Sequence, residues 1–152
     1  MNQTLAFYFD QTRCMACNVC SVSCKDWNQL NPGKVSWRKQ KTHELNDNFF
    51  PLSMACNHYS DPACLNACSA GAIHKRADGI VVLDRDKCAS LRSCIDACPF
   101  SAISIADDKQ EPERKSTWAT VHPAQKCVAC MDRLVNGEKP MCVVSCVGRA
   151  MD

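Results

Sequence analysis

The 152-residue chain lacks any apolar run near the roughly 18–20 residues that a membrane-spanning helix needs, so direct membrane insertion is not expected. It lacks a basic stretch ahead of an apolar core in residues 1–11, so neither a secretory nor a twin-arginine signal is read there. The expected location is the cytoplasm, unless a signal-bearing partner carries the folded chain out. An excess of either charge is also missing, with 18 Lys and Arg against 16 Asp and Glu and a net charge of +2. No basic stripe points to nucleic acid, and no acidic tail points to disorder. There is no Ser–His–Asp set, phosphate loop or carboxylate pair, so the sequence offers no substrate chemistry of its own. Nominal hydrophobic content is 46%, but cysteine inflates it, and the remaining apolar core is thin for the length. Cysteine is the residue in excess, with 14 copies. That abundance marks a disulfide scaffold or a metal protein.

The cysteines form four groups: Cys14, Cys17, Cys20 and Cys24; Cys56, Cys64 and Cys68; Cys88, Cys94 and Cys98; and Cys127, Cys130, Cys142 and Cys146. Every group ends in C-x3-C, which is an internal repeat. The first group reads C-x2-C-x2-C-x3-C, the bacterial ferredoxin run, whose fourth cysteine ligates the other cluster of a pair. Three thiolates two residues apart wrap one face of a cube if the loop coils tightly, while the fourth lies a helical turn further on and faces a neighbour. Two rival readings fit the spacing less well. Thiols so closely spaced cannot all form local disulfides without strain. Zinc sites use two separated C-x2-C pairs, and the triple run exceeds that need.

Reciprocal exchange between the first and last groups completes two four-iron sites with eight thiolates: Cys14, Cys17, Cys20 and Cys146 (site 1), and Cys127, Cys130, Cys142 and Cys24 (site 2). The middle groups give two shorter sets: Cys56, Cys64 and Cys98 (site 3), and Cys88, Cys94 and Cys68 (site 4). Tyr59 and Leu91 occupy the positions where their second thiolates belong. Each of these sites is open to a three-iron cluster, a four-iron cluster with an outside ligand, or vacancy. His58, Ser60 and Asp61 near Tyr59, and Ser90 and Ser93 near Leu91, are candidate substitute donors. Leucine cannot ligate, so site 4 is expected to be three-iron or vacant and site 3 to be filled. The central expectation is three clusters in all, with four still open.

The expected fold class is α+β: two ferredoxin-like modules, the second inserted in the first, with short strands, short helices and long ligand loops. Residues 1–27 and 118–152 form the expected outer module and residues 51–106 the inner one. Residues 28–50 and 107–117 are polar, cysteine-free connectors. Asp78-Gly79 between two β-prone runs is a hairpin signal. Residues 5–9 and 102–106 are further strand candidates. The residues inside each C-x3-C suit single helical turns, and residues 131–137 read as a short helix stopped by Gly137. Among the histidines, His58 stands out because it lies in a ligand loop. Trp27, Trp37 and Trp118 read as packing or interface residues.

Several motifs then carry a resemblance: Phe9-Asp10 before the first run, Cys24-Lys25-Asp26-Trp27, Cys56-Asn57-His58 followed by Asp61-Pro62-Ala63-Cys64, Asp86-Lys87-Cys88, Cys98-Pro99-Phe100, Lys126-Cys127, Asp132-Arg133 and Lys139-Pro140. Across nearly its whole length the chain resembles the four-cluster electron-transfer subunits of the dimethyl sulfoxide reductase family. The resemblance implies a non-catalytic subunit that relays electrons through [4Fe-4S] clusters. Its partner would be a large catalytic subunit with a molybdenum or tungsten pterin centre, with room for a further redox subunit. A free soluble polyferredoxin and a structural subunit are the alternatives. The chain departs from the family pattern at Tyr59 and Leu91, at Ser69 and Val147 where proline usually follows the last cysteine, and in stopping at Asp152 where the family commonly extends.

Overall fold

The computed structural model describes residues 5–152. Residues 1–4, part of the stretch read above for an export signal, lie outside the described residues. The elements are short and the class is α+β. In order they are a 3-10 turn Gln11–Arg13, α1 (Val19–Trp27), β1 (Lys39–Leu45), β2 (Asn48–Met54), α2 (Ala63–Asn66), β3 (Ile73–Lys75), β4 (Val81–Leu83), α3 (Ser93–Asp96), β5 (Ile103–Ser104), β6 (Gln125–Lys126), α4 (Met131–Leu134) and α5 (Met141–Val144). The strands pair antiparallel as β1–β2, β3–β4 and β5–β6. No helix among the described residues is long and apolar enough to cross a membrane.

Local chemistry explains most of these pieces. Asp10 caps the 3-10 turn by accepting from the Thr12 amide at 2.9 Å. Pro62 and Pro140 immediately precede α2 and α5, where a fixed φ starts a helical turn without costing a needed donor. A hairpin forms around Asp78-Gly79, but not with the two-residue turn that the pair signals: β3 and β4 are joined by residues 76–80, the Arg76 amide donates to the Ile80 carbonyl, and Gly79 alone of the pair is left-handed, at φ 87°. Of residues 131–137, read as one short helix, only Met131–Leu134 are helical (α4); the chain then turns, with Gly137 at φ 74°.

The structure departs from the sequence reading in three further places. Residues 5–9 form only an isolated bridge, Phe9 to Met151, because the backbone bonds from Tyr8 and Asp10 to Asp152 and Ala150 make a closure too short for a ladder. The strand expected over 102–106 shrinks to Ile103–Ser104. The connector 28–50 instead contains most of a long hairpin, β1–β2, turning at Asn46 and Asp47 with φ of 48° and 60°. Both values are left-handed, as a tight primed hairpin turn requires, and Asn and Asp tolerate that conformation best after glycine. The hairpin was hard to read because β1 is exposed over most of its length, so no alternating apolar face marks it.

Buried Gln110 holds the two cysteine-free stretches together. It donates to the carbonyls of Asn31 at 2.9 Å and Val35 at 2.8 Å, and accepts from the Val35 amide at 2.9 Å. Chain closure places Gly148 against the backbone carbonyl of Arg13, where a β-carbon would collide. Gly148→Ala is therefore expected to destabilise the cluster-loaded protein by about 1–3 kcal/mol, the usual cost of overpacking. A lowered Tm in a thermal melt would show it.

Candidate metal centre

The four cysteine-led loops share one backbone device. The second residue after the leading cysteine is left-handed in each: Ala16 at φ 56°, His58 at 48°, Ser90 at 52° and Ala129 at 55°. None is glycine, so each carries a side chain in a sparsely populated conformation that its surroundings must enforce. The kink reverses the loop so that thiols on either side converge. It persists in the loops carrying Tyr59 and Leu91. Those loops thus keep the ligand-loop backbone although one thiolate is missing. After the closing C-x3-C, Gly71, Ser101 and Arg149 are left-handed in the same register and turn the chain away.

All fourteen thiols are free. Cys14, Cys17, Cys20 and Cys146 line one cavity, with Asn18 and Ser53 on its wall. Cys24 adjoins Cys127, Cys142 and Cys130. Burial, reinforced by these three thiols, pushes its pKa up to about 12. Burial also raises Cys64, with Cys56 and Cys98 adding to the shift and Lys126 opposing it. Cys94 is pushed up to about 11 by burial, then by Cys88 and Cys68. Cys68, Cys88 and Cys94 line a second cavity together with Leu91. The thiols read as sites 1 and 4 thus each line a cavity, and those read as sites 2 and 3 neighbour one another. Among the described residues, no three Cys, His, Asp or Glu side chains close on a single-ion point; the thiols of sites 1 and 4 ring cavities instead. A groove of about 590 Å³ with no thiol in its lining lies beside these sets, lined in part by His58, Ala129 and Val143.

The sets stand in single file. Cys20 and Cys24 lie one turn apart on α1, about 6 Å along its axis, and serve sites 1 and 2. A small apolar cluster of Cys20, Cys142, Val143 and Met151, with Cys146 against it, joins those two sites. Ala55, Cys56, Ala102 and Cys127, with Cys98 packed on them, join sites 2 and 3. Cys64, Cys88 and Cys94 among Ile73, Val81, Leu83 and Ile103, with Cys68 and Cys98 packed on them, join sites 3 and 4. Strand pairing β5–β6 ties residues 103–104 to 125–126 across the second of these joints.

The donor set suits iron–sulfur clusters. Backbone amides point at sulfur: Ala150 to Cys146 at 3.2 Å, Ala124 to Cys88 at 3.3 Å, Ala129 to Cys127 at 3.3 Å, Ala102 to Cys98 at 3.4 Å and Met141 to Cys130 at 3.5 Å. Such donors favour the thiolate form and tune a cluster's potential. Arg38 is 2% exposed, yet its Nε and Nη2 have no hydrogen-bond partner among the described residues. A buried guanidinium left so under-bonded calls for an anion beside it.

At site 3 the Tyr59 hydroxyl accepts from the Ala63 amide at 2.7 Å, and its ring meets Phe100 edge-on at 5.8 Å. His58 accepts from the Val81 amide through Nδ1 at 3.0 Å, while its Nε2 is buried without a partner among the described residues. Burial and the nearby Lys126 ammonium lower the His58 pKa to about 3. At site 4, Leu91 is 62% exposed, and the Ser90 hydroxyl donates to the His122 carbonyl at 2.6 Å. The tryptophans are committed elsewhere: Trp27 donates to Asp132, Trp37 donates to Gln125, and the Arg85 guanidinium lies over the Trp118 ring. Arg38 was not among the functional residues read from the sequence, and Lys126 entered only as part of a motif. Each is a single cation in an ordinary polar context, so only the fold reveals its burial.

The sequence profile of the 4Fe-4S dicluster domain family matches residues 47–152. The chain is 38% identical to one of the chains of the anaerobic dimethyl sulfoxide reductase of Escherichia coli (strain K12), over an alignment of 164 residues that covers 100% of this chain and 74% of that protein. It is 34% identical to a subunit of the tetrathionate reductase of Salmonella typhimurium (strain LT2), over 95% of this chain and 55% of the relative. A subunit of the selenate reductase of Mesobacillus selenatarsenatis is also 34% identical, over 93% of this chain and 56% of the relative.

Proposed function

The chain belongs to the 4Fe-4S dicluster domain family, and from that membership we propose that it relays electrons, one at a time, for the catalytic subunit of a larger reductase-type complex. The observation behind this reading is the single file of four thiol sets joined through three shared apolar clusters. Iron–sulfur clusters, when bound, supply reversible one-electron storage. The chain's own residues ligate them, aim amides at the sulfurs, exclude water and fix the distance from one site to the next. The proposed ligands are Cys14, Cys17, Cys20 and Cys146 for site 1; Cys24, Cys127, Cys130 and Cys142 for site 2; Cys56, Cys64 and Cys98 for site 3; and Cys68, Cys88 and Cys94 for site 4. The chain itself performs no substrate chemistry.

The relatives are named as parts of dimethyl sulfoxide, tetrathionate and selenate reductases. The partner proposed here is accordingly a large subunit with a molybdenum or tungsten pterin centre, accompanied where the system requires by a further redox subunit. The complex acts in the cytoplasm or wherever a signal-bearing partner carries it. Hairpin β1–β2 favours a dedicated subunit over a free carrier. Leu45 is 63% exposed and Phe49 68% exposed near its tip, and a lone two-stranded hairpin has little stability unless something packs on it. Native purification tests the partnership. The chain is expected to co-elute with a much larger pterin-bearing polypeptide, and recovery as a stable free monomer would count against it.

Cluster number has its own test. The loop around Leu91 retains the left-handed Ser90 kink, so it has the backbone for a thiolate but lacks the sulfur. Leu91→Cys is expected to raise the iron content per chain and to replace any three-iron signal with a four-iron one. Four irons bound at this site in the unaltered protein, with no outside ligand, would contradict the three-iron or vacant assignment.

A further inference from the structure

The three joints between successive thiol sets differ in charge. Arg38 lies at the first joint. Its Nη1 donates to the Ser53 hydroxyl at 3.2 Å, and that hydroxyl contacts Cys20 Sγ of site 1 at 3.4 Å. The same guanidinium stacks on the Phe7 ring at 4.4 Å. That ring packs against the cluster holding Cys142 and the cluster holding Cys127, both ligands of site 2. Lys126 lies at the second joint and is 1% exposed. Its Nζ donates to Cys56 Sγ of site 3 at 3.4 Å, to the carbonyl of the site 2 ligand Cys127 at 2.9 Å, and to the Val81 carbonyl. These are three acceptors for three ammonium protons. The third joint is built from Ile73, Val81, Leu83 and Ile103; Lys126 reaches only its Val81 carbonyl, and among the described residues neither buried cation hydrogen-bonds a thiol of site 4.

Neither Arg38 nor Lys126 meets a carboxylate among the described residues. A buried charge without a counter-charge is strongly unfavourable, so the compensating negative charge belongs to what the thiols hold. We propose that Arg38 and Lys126 are the charge-balancing residues of the relay, each seated between two neighbouring cluster sites and raising the reduction potential of both. The proposal rests on the electron-transfer reading above. Reduction adds one negative charge to a cluster, and a fixed cation against its ligands stabilises the reduced form more than the oxidised one. Sites 1, 2 and 3 thus feel a buried cation at close range, and site 2 feels both. Site 4 feels neither, so the two cations make the relay uneven along its length.

Potentiometric titration of the intact complex, followed by electron paramagnetic resonance, tests this. Lys126→Gln is expected to shift the potentials of sites 2 and 3 downward and leave sites 1 and 4 unmoved. Arg38→Gln is expected to lower sites 1 and 2 and leave sites 3 and 4 unmoved. Lys126→Arg should restore most of the Lys126→Gln shift, which a purely structural role would not predict. Unmoved potentials, or one uniform shift at every site, would overturn the proposal. If the variants fail to load clusters, unaltered complex carrying 15N-labelled lysine decides it. Among the described residues Lys126 is the sole lysine whose Nζ touches a cysteine sulfur, so spin-echo modulation should detect a lysine nitrogen coupled to a reduced cluster. Its absence would exclude the contact. Unaltered complex that contains no iron and sulfide at all would overturn the electron-transfer reading itself, a result distinct from loaded clusters with unmoved potentials.

Discussion

Cys24→Ser is expected to remove or convert one cluster and to cut electron flow through the chain by more than the roughly 10–100-fold that loss of an outer-shell partner costs a metal site. Cys24 is 4% exposed and lies beside Cys127, Cys130 and Cys142, one turn further along α1 than Cys20. A serine hydroxyl is nearly isosteric but is a much poorer ligand for iron. Site 2 is interior to the file, joined to site 1 through Cys142 and Val143 and to site 3 through Cys127 and Ala102. Losing it opens a gap that no neighbouring site spans. The measurement pairs iron content per chain with the rate at which the complex passes electrons from donor to acceptor. Unchanged iron and unchanged rate would refute the ligand set.

Stripping the iron with a chelator under reducing conditions is expected to unfold most of the chain. The helices bearing Cys64, Cys94 and Cys142 are four residues long, and several strands have only two or three. Pieces of that size do not persist alone in water. Each apolar cluster counts cysteines among its buried members, so the core is built around the ligands. Structural metal sites in small domains contribute on the order of 10–16 kcal/mol, about as much as a whole domain's stability of roughly 5–15 kcal/mol. Loss of cooperative thermal unfolding and of near-ultraviolet dichroism should follow. Alkali should weaken whatever structure remains in the stripped chain. Cys24 rises from the ordinary 9.0 to about 12, and Cys94 and Cys127 to about 11. A thiol whose folded pKa is raised favours the folded state below its unfolded pKa and loses that advantage as pH climbs toward the folded value. The window therefore runs from about pH 9 to pH 12. A stripped chain that still melts cooperatively, with the same midpoint at about pH 8 and about pH 11, would argue against both points.

Much of the site was legible because cluster ligation is written locally. C-x2-C-x2-C-x3-C and its echoes name the thiols, and the Asp78-Gly79 pair names a hairpin by its own conformational preference. Other features are not local. The left-handed residues Ala16, His58, Ser90 and Ala129 carry no glycine to announce them, since their strain is held by the packed loop around them. Arg38 and Lys126 are two of 18 cations, and nothing near them in sequence marks them as buried. Hairpin β1–β2 escaped notice for the opposite reason: with β1 largely in solvent, its residues follow no core pattern.

The closure of the chain on itself sets a timetable for biosynthesis. Cys14, Cys17 and Cys20 leave the ribosome early, but their fourth partner, Cys146, is made more than a hundred residues later. At about 5–20 residues per second, the interval is on the order of ten seconds. Sites 3 and 4 draw all their thiols from residues 56–98 and have no such wait. Cluster insertion should therefore proceed from the inside outward, and a chain that has emerged only as far as about residue 110 would have all the thiols of its inner sites while Cys14, Cys17 and Cys20 at its head stay bare and oxidisable.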